Sequence, residues 1–115
     1  MELQHFAGMV RVRIVEPPEE QIYTPSVNVL FRTASYVYGS KALAVVLTGM
    51  GNDGASGVEE IVKNGGRALA EAEESCVVYG MPKEAIQTGM IEKAVPLVKM
   101  CSEIEMRCRP PVFRV

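Results

Sequence analysis

The clearest hydrophobic pattern in the chain is a continuously apolar run, ALAVVL, at residues 42–47. Such a run predicts a strand that is buried on both faces, as in a parallel sheet. After the glycine-rich residues 48–54, Val58, Ile61 and Val62 fall at helical spacing, and a glycine pair then predicts the end of that helix. The pattern therefore predicts a loop that joins the carboxyl end of a central strand to a helix. In open α/β sheets, ligands and catalysis are usually found at that edge.

Two further elements are predicted upstream of this strand. Alternating apolar and polar positions in residues 1–15, with a turn at residues 7–8, predict a small β-hairpin. Thr24 and Pro25 predict the start of a long amphipathic helix, with Thr24 as the N-cap and Pro25 at the first helical position. Apolar residues then follow at helical spacing until Gly39, where the helix is expected to end.

Short elements are predicted downstream of the loop and its helix. They are two strands and two helices, in the chain order 67–71 (strand), 83–88 (helix), 91–95 (strand) and 97–108 (helix). A proline pair at residues 110–111 is expected to end the last helix. Residues 75–82 fit no regular element, because a glycine and a proline interrupt any strand there.

The alternation of helices and strands predicts an α/β fold, specifically part of a doubly wound, mostly parallel sheet with flanking helices and a small N-terminal β-hairpin. We expect the hairpin at about residues 1–15 and the α/β core at about residues 24–108. The sequence offers only three core strands beyond the hairpin, whereas such sheets are normally wider. The chain is therefore interpreted as an incomplete domain.

Composition and charge narrow the class of protein. The chain has 115 residues, of which 48% are hydrophobic and 23% charged, with a formal net charge of -2, so it carries no electrostatic signature of nucleic-acid binding. The sequence contains no apolar run long enough to span a membrane, and the N-terminus does not resemble a signal peptide. Three cysteines without a Cys-x-x-Cys pair predict reduced thiols rather than disulfides or a metal site. We expect a cytoplasmic protein with neither membrane insertion nor a cofactor.

The glycine-rich loop has two readings that rest on its residues alone. Residues 49–54 fit the spacing G-x-G-x-x-G after a strand, and Glu71 lies about 20 residues further on, as in a dinucleotide-binding turn. A pyrophosphate would lie at the helix N-terminus, where the carboxylate of Asp53 would repel it. Alternatively, Asp53 caps the helix that follows the loop, or the helix starts later with a capping box at residues 56–59.

The other candidate catalytic residues do not assemble into a catalytic group. The sequence contains no Gly-x-Ser-x-Gly nucleophile elbow. His5 is the one histidine and lies near the N-terminus, so we expect it to be peripheral. Cys76 has no histidine nearby in the sequence and is interpreted as a buried, unreactive thiol. These residues alone therefore do not supply a nucleophile, a base and an acid.

Three stretches of the chain resemble one family. The segment VLTGMGNDGA at residues 46–55 resembles the signature loop of the chemotaxis methylesterases, the CheB family. The segment PSVNVLF at residues 25–31 is similar to the helix that precedes this strand in the family. ESCVVYGMP at residues 74–82 and EAI at residues 84–86 are similar to its second signature. The resemblance covers about residues 9–97, and residues 1–115 would form the C-terminal part of a methylesterase catalytic domain.

The resemblance implies a protein-glutamate methylesterase, which hydrolyses glutamyl methyl esters on the cytoplasmic helices of methylated chemoreceptors and in many members deamidates glutamines. The implied chemistry uses a Ser-His-Asp triad in which the loop aspartate, matching Asp53, orients the histidine. The backbone N–H of Met50 would help to form the oxyanion hole. Four loop residues would bind substrate or shape the loop, namely Thr48, Gly49, Gly51 and Gly54.

The resemblance also implies partners outside this chain. The serine and histidine of the triad belong to the earlier half of the family's catalytic domain, and many members carry a receiver domain as well. We therefore expect the chain to be inactive alone and to pair with an upstream half of the catalytic domain. Two other readings stay open at this point: a dinucleotide-binding half-domain, and a non-enzymatic module that docks on receptors.

Overall fold

The fold is that of a computed structural model, which describes residues 1–109. Five strands and four helices follow one another in the order β1 (Glu2–Phe6), β2 (Met9–Arg13), α1 (Val27–Tyr38), β3 (Leu43–Val46), α2 (Ala55–Lys63), β4 (Arg67–Glu71), α3 (Met81–Gln87), β5 (Lys93–Val95) and α4 (Leu97–Cys108). Every strand and helix predicted from the apolar pattern is present, so the α/β class is confirmed. The predicted end of the last helix, at residues 110–111, lies outside the described residues.

The main sheet contains β3, β4 and β5, all parallel, with β4 in the middle. Among the described residues, β3 pairs with β4 on one side only, which makes it an edge strand of this sheet. In the three-stranded sheet of this chain, the middle strand is therefore β4 and not the predicted run at residues 42–47. Strand order depends on pairing between distant segments, and a doubly apolar run shows only that both faces of a strand are covered.

The sheet is covered on both faces, and the side chains alternate between two clusters along each strand. Ala44 and Val46 of β3 point towards α2, where they contact Val58 and Ile61. On the opposite face, the cluster is formed by Leu69 of β4 and by residues of β5 and α4. This alternation explains why β3 and β4 read as continuous apolar runs rather than as a period of two.

The N-terminal hairpin pairs β1 with β2 in antiparallel register, from Glu2 opposite Arg13 to Phe6 opposite Met9. Its turn lies at Ala7 and Gly8, as predicted, and both residues have positive φ angles, of 51° and 79°. Two consecutive positive φ angles are typical of the type I′ turn, which matches the twist of a hairpin. The hairpin packs on α1, where the backbone N–H of Leu3 donates to Oγ1 of Thr33 at 2.9 Å.

Two predicted helix starts are wrong in detail. The N-cap of α1 is Ser26 rather than Thr24, and its Oγ accepts a hydrogen bond from the backbone N–H of Val29. Pro25 follows a cis peptide bond and lies outside the helix. The short helix predicted at residues 83–88 begins at Met81, because proline is tolerated in the first helical turn, where its missing N–H would have no partner.

A charged network ties α4 to the amino edge of the sheet. Glu92, just before β5, accepts hydrogen bonds from Arg67 at the start of β4 and from Arg107 of α4. Arg107 also pairs with Glu103 at 2.6 Å, and Glu103 with Lys93 at 2.7 Å. Hydrogen bonding from Arg67, followed by that from Arg107, lowers the pKa of Glu92 from 4.5 to about 2.

Candidate active site

The loop singled out by the sequence, residues 48–54, joins β3 to α2 at the carboxyl edge of the sheet. We call it the glycine loop. Gly51 and Gly54 have φ angles of +92° and +105°, which side chains other than glycine rarely adopt. Space is restricted as well, since a Cβ on Gly51 would lie 2.6 Å from the hydroxyl of Tyr23. The glycines therefore allow both the backbone path of this loop and its close approach to the segment before α1.

A second loop holds the glycine loop in place from one side. The hydroxyl of Thr48 donates to the carbonyl oxygen of Val78 at 3.1 Å and accepts from the N–H of the same residue at 2.8 Å. The N–H of Gly49 also donates to the Val78 carbonyl, at 3.0 Å. In return, the Gly49 carbonyl accepts from Gly80 and Met81. Residues 75–82, which fitted no regular element in the sequence, thus fix the start of the glycine loop through hydrogen bonds from Val78, Gly80 and Met81.

Asp53 is 5% exposed and points its carboxylate at the N-terminus of α1. Its Oδ2 accepts the backbone N–H of Val27 at 2.7 Å. Its Oδ1 accepts the N–H of Asn28 and the hydroxyl of Ser26, both at 3.0 Å. Asp53 therefore satisfies N–H groups that the first turn of α1 leaves without a helical partner, and the dipole of α1 favours its negative charge.

The N-terminus of α2 is capped in return by a residue of α1. Oδ1 of Asn28 accepts the backbone N–H groups of Gly54 and Gly57, at 2.9 and 2.8 Å. Asp53 thus caps α1 while Asn28 caps α2, an arrangement we call the reciprocal cap. The prediction that Asp53 caps its own helix is wrong, and so is the capping box at residues 56–59, because α2 begins at Ala55 with Gly54 as N-cap.

Sequence reasoning missed Ser26 and Asn28 as parts of this site. They precede Asp53 by 27 and 25 residues, and no local spacing connects them to it. An asparagine in the first turn of a helix has no helical signature of its own, so only the packing of α1 on α2 reveals its role. Ser26 offered one signal, since a serine before an apolar helical pattern is a preferred N-cap.

Glu71, which ends β4, is 1% exposed and makes two side-chain hydrogen bonds. Its Oε1 accepts the backbone N–H of Thr48 at 2.9 Å, and its Oε2 accepts the hydroxyl of Ser75 at 2.8 Å. A ribose-binding acid must reach the ligand, whereas this carboxylate is enclosed and already bonded. The N–H groups that would meet a pyrophosphate at the start of α2 are bonded to Asn28. Neither feature of the structure favours dinucleotide binding.

Met50 lies at the tip of the glycine loop with 79% of its surface exposed. Its backbone N–H donates no hydrogen bond to any residue of the described range 1–109. A cleft of about 460 Å³ opens beside Asp53 and is bordered by Tyr23, Asn28, Arg32 and Ser56, among others. The loop therefore presents two groups: the backbone N–H of Met50, which has no partner within residues 1–109, and the carboxylate of Asp53 at the wall of an open cleft.

The remaining candidate residues lie away from this centre. His5 is on β1, opposite Val10 of the hairpin, and is not among the hydrogen-bond partners of Asp53 within residues 1–109. Cys76 is half-buried, and its Sγ lies 3.7 Å from the Glu71 carbonyl. Burial, together with the nearby carboxylates, raises the pKa of the Cys76 thiol. Within residues 1–109 we find no cluster of three metal-binding side chains and no helix long and apolar enough to cross a membrane.

The parallel sheet with helices on both faces and the glycine loop at its carboxyl edge define an α/β protein whose functional groups lie where strands lead into loops. The chain belongs to the CheB methylesterase family, whose family model matches residues 1–104. The family membership predicted from the resembling segments is confirmed.

Individual relatives agree with this assignment. A protein-glutamate methylesterase/protein-glutamine glutaminase of Geobacter sulfurreducens is 54% identical over 108 residues, which are 94% of this chain and 29% of that protein. One from Methanosarcina acetivorans is 54% identical over 87 residues, 76% of this chain and 24% of that protein. The crystal structure of the Thermotoga maritima CheB methylesterase catalytic domain superposes with a TM-score of 0.85 at 34% identity, and the match covers 90% of this chain and 55% of that one. The chain thus spans under a third of its curated relatives.

Proposed function

We propose that this chain forms the C-terminal part of the catalytic domain of a protein-glutamate methylesterase, and that Asp53 is the aspartate of a Ser-His-Asp triad. The observation that carries the proposal is the hydrogen bonding of Asp53. Within the described residues, Oδ1 accepts two hydrogen bonds and Oδ2 one. A carboxylate offers about four acceptor positions, so Oδ2 has room for one further donor. An imidazole N–H is the donor that a triad requires there.

The fixed direction of this carboxylate supports the same role. Three donors from α1 hold both oxygens, so Asp53 does not have to be ordered when a histidine approaches. A triad aspartate acts by keeping the imidazole in one tautomer and by stabilising the imidazolium that forms during the reaction. Both effects depend on a carboxylate of fixed orientation, which the donors at the N-terminus of α1 supply.

Met50 provides the second group of the proposed site. Its backbone N–H lies at the tip of the glycine loop, has no hydrogen-bond partner within residues 1–109, and would bind the oxyanion of a tetrahedral intermediate. One such donor accounts for about 10² to 10³ in turnover. Because the donor is the backbone, Met50→Ala is expected to affect turnover less than a change that moves the loop. Thr48, Gly49, Gly51 and Gly54 would shape this loop around the ester.

The serine and the histidine of the triad would come from residues outside this chain. We propose that they belong to the upstream half of the catalytic domain and that the chain alone is inactive. Its substrates would be glutamyl methyl esters, and certain glutamines, on the cytoplasmic helices of chemoreceptors. The expected location is therefore the cytoplasm.

Methanol release from a carboxyl-methylated chemoreceptor tests this function. The chain is assayed alone and mixed with the part of the Geobacter sulfurreducens relative that precedes the matched segment. The mixture should release methanol, and Asp53→Asn should lower turnover by about 10⁴. Glu59→Gln, which neutralises a half-exposed carboxylate on α2, is the matched control and should leave turnover unchanged.

Three outcomes would contradict parts of the proposal. Full turnover by the Asp53→Asn mixture would remove Asp53 from the triad. Methanol release by the chain alone would show that the nucleophile and base lie within it. Receptor binding without methanol release by any mixture would favour the docking module instead.

A further inference from the structure

We infer that Glu71 is a positioning residue for the glycine loop: its buried carboxylate fixes the Thr48 amide and, together with the second loop that holds the Gly49 carbonyl, sets the direction of the backbone N–H of Met50. The inference rests on the proposed function, because it assigns a cause to the geometry of the proposed oxyanion hole. The observation behind it is the direct hydrogen bond of 2.9 Å between Oε1 of Glu71 and the N–H of Thr48. Thr48 is the second residue after β3 and lies two residues before Met50.

The burial of Glu71 is not explained by stability. Its carboxylate is 1% exposed, and no lysine or arginine in residues 1–109 forms an ion pair with it. Burying a carboxylate is costly even when it is hydrogen-bonded, and a well-packed apolar side chain is often as stable or more stable at such a position. A carboxylate at the end of β4 therefore calls for a role other than filling the core.

The hydrogen bonds of Glu71 connect the carboxyl ends of all three strands of the sheet. The backbone N–H of Leu97, just past β5, donates to Oγ of Ser75 at 3.0 Å. Ser75 in turn donates to Oε2 of Glu71, at the end of β4. Oε1 of Glu71 then receives the N–H of Thr48, past the end of β3. The side chain of Glu71 thus links the start of the glycine loop to the ends of β4 and β5.

Thr48 is held from two sides. Within residues 1–109, Glu71 is the one residue that accepts a hydrogen bond from its backbone N–H. The hydroxyl of Thr48 is bonded to Val78 in the second loop, while its N–H points back to the sheet. What Glu71 supplies is the direction of the Leu47–Thr48 peptide plane at the base of the glycine loop. The Gly49–Met50 peptide, which carries the Met50 N–H, is held through its carbonyl by Gly80 and Met81.

Three variants separate positioning from stability. Glu71→Leu removes the acceptor and places an apolar side chain of similar size in the buried position. Glu71→Gln keeps an oxygen for the Thr48 N–H, and its NH₂ can donate to Ser75 Oγ, whose own proton can turn to the Ala72 carbonyl at 3.3 Å. Glu92→Leu is the matched control, because it removes a bonded carboxylate at the amino edge, at the other end of the strands.

Turnover is measured as methanol release, with each variant mixed with the upstream part of the Geobacter sulfurreducens relative. Each rate is corrected for the fraction of the variant that is folded. Glu71→Leu should lower kcat about 10- to 100-fold, part of the effect of one oxyanion donor, with KM changed less than about twofold. Glu71→Gln should restore kcat to within about threefold. The control Glu92→Leu should leave both constants unchanged. An unchanged kcat for Glu71→Leu, or an equal loss in Glu92→Leu, would overturn the inference.

A second measurement on the chain alone does not depend on esterase activity. In amide NMR spectra, the Thr48 proton should move upfield by about 1 ppm in Glu71→Leu, because a charge-assisted hydrogen bond is lost. Changes should extend to Gly49 and Met50 and be absent in Glu92→Leu. If the wild-type mixture releases no methanol but these shifts occur, the proposed function fails while the positioning role stands. An unchanged Thr48 shift would overturn the positioning role itself.

Discussion

Replacement of Asp53 by alanine should destabilise the chain, even though the residue is proposed to act in catalysis. The carboxylate accepts hydrogen bonds from the hydroxyl of Ser26 and from the backbone N–H groups of Val27 and Asn28. These two N–H groups lie in the first turn of α1, where the helix offers them no carbonyl acceptor. In Asp53→Ala, two backbone N–H groups and the hydroxyl of Ser26, a residue that is 8% exposed, lose their acceptor together. Relief of carboxylate burial opposes this loss, but the three unpaired donors outweigh it.

The size of the effect follows from the contacts. Loss of a side-chain cap costs about 1 kcal/mol, and loss of a partly buried charge at a helix end adds up to about 2 kcal/mol. We therefore expect Asp53→Ala to lower the free energy of unfolding by about 3 kcal/mol. Asp53→Asn should fall between this variant and the wild type. It retains one oxygen, but it turns an NH₂ towards the N–H of Val27.

Urea unfolding of the chain, followed by circular dichroism, measures this difference. With a slope of about 1.5 kcal/mol per molar urea, Asp53→Ala should lower the unfolding midpoint by about 2 M. Asn52→Ala is the control, because Asn52 is an exposed neighbour in the same loop and should change stability by less than about 0.5 kcal/mol. If the midpoint of Asp53→Ala equals or exceeds that of Asn52→Ala, the capping role is refuted.

Three further predictions concern other parts of the chain. Glu92 has a lowered pKa, so its stabilisation is complete above pH 4.5 and is lost as the pH falls towards about 2. Glu92→Gln should therefore cost about 1 kcal/mol at pH 7, since the side chain is a third exposed, and the deficit should vanish in urea titrations near pH 2. Gly51→Ala should lower the thermal midpoint by several degrees, because its φ of +92° and the Tyr23 hydroxyl both oppose a Cβ. An unchanged midpoint would contradict this. Cys76 should react with iodoacetamide more slowly than the exposed Cys101, as mass spectrometry of a time course would show.

The elements of the fold could be predicted because each depends on local periodicity. Residues 42–47 and 67–71 read as buried strands, and the apolar spacing after the glycine loop fixed the helix between them. The order of the strands could not be predicted in the same way. It is set by pairing of β4 with both neighbours, and nothing within a single strand encodes which partners it takes.

In the candidate site as well, residues within one local segment could be predicted, whereas their distant partners could not. Asp53 and Met50 lie within one loop, so the spacing of its glycines and the resemblance were enough to single them out. The partners of Asp53 come from the start of α1, and the acceptor for Thr48 comes from the end of β4. From the sequence, the distance of Glu71 from the loop indicates an acid that binds a ribose, because the sequence does not tell whether a carboxylate at a strand end faces solvent or the interior.

The reciprocal cap has a consequence for the kinetics of folding. Each of α1 and α2 takes part of its N-terminal capping from the other helix, because Asp53 accepts N–H groups of α1 and Asn28 accepts those at the start of α2. The two helices should therefore acquire their N-terminal turns in one event, after a chain segment of about 25 residues has closed. Substitutions at Asn28 and Asp53 should slow refolding to a similar extent and give similar φ-values. The aspartate proposed for ester hydrolysis would then also belong to the folding nucleus of its own domain.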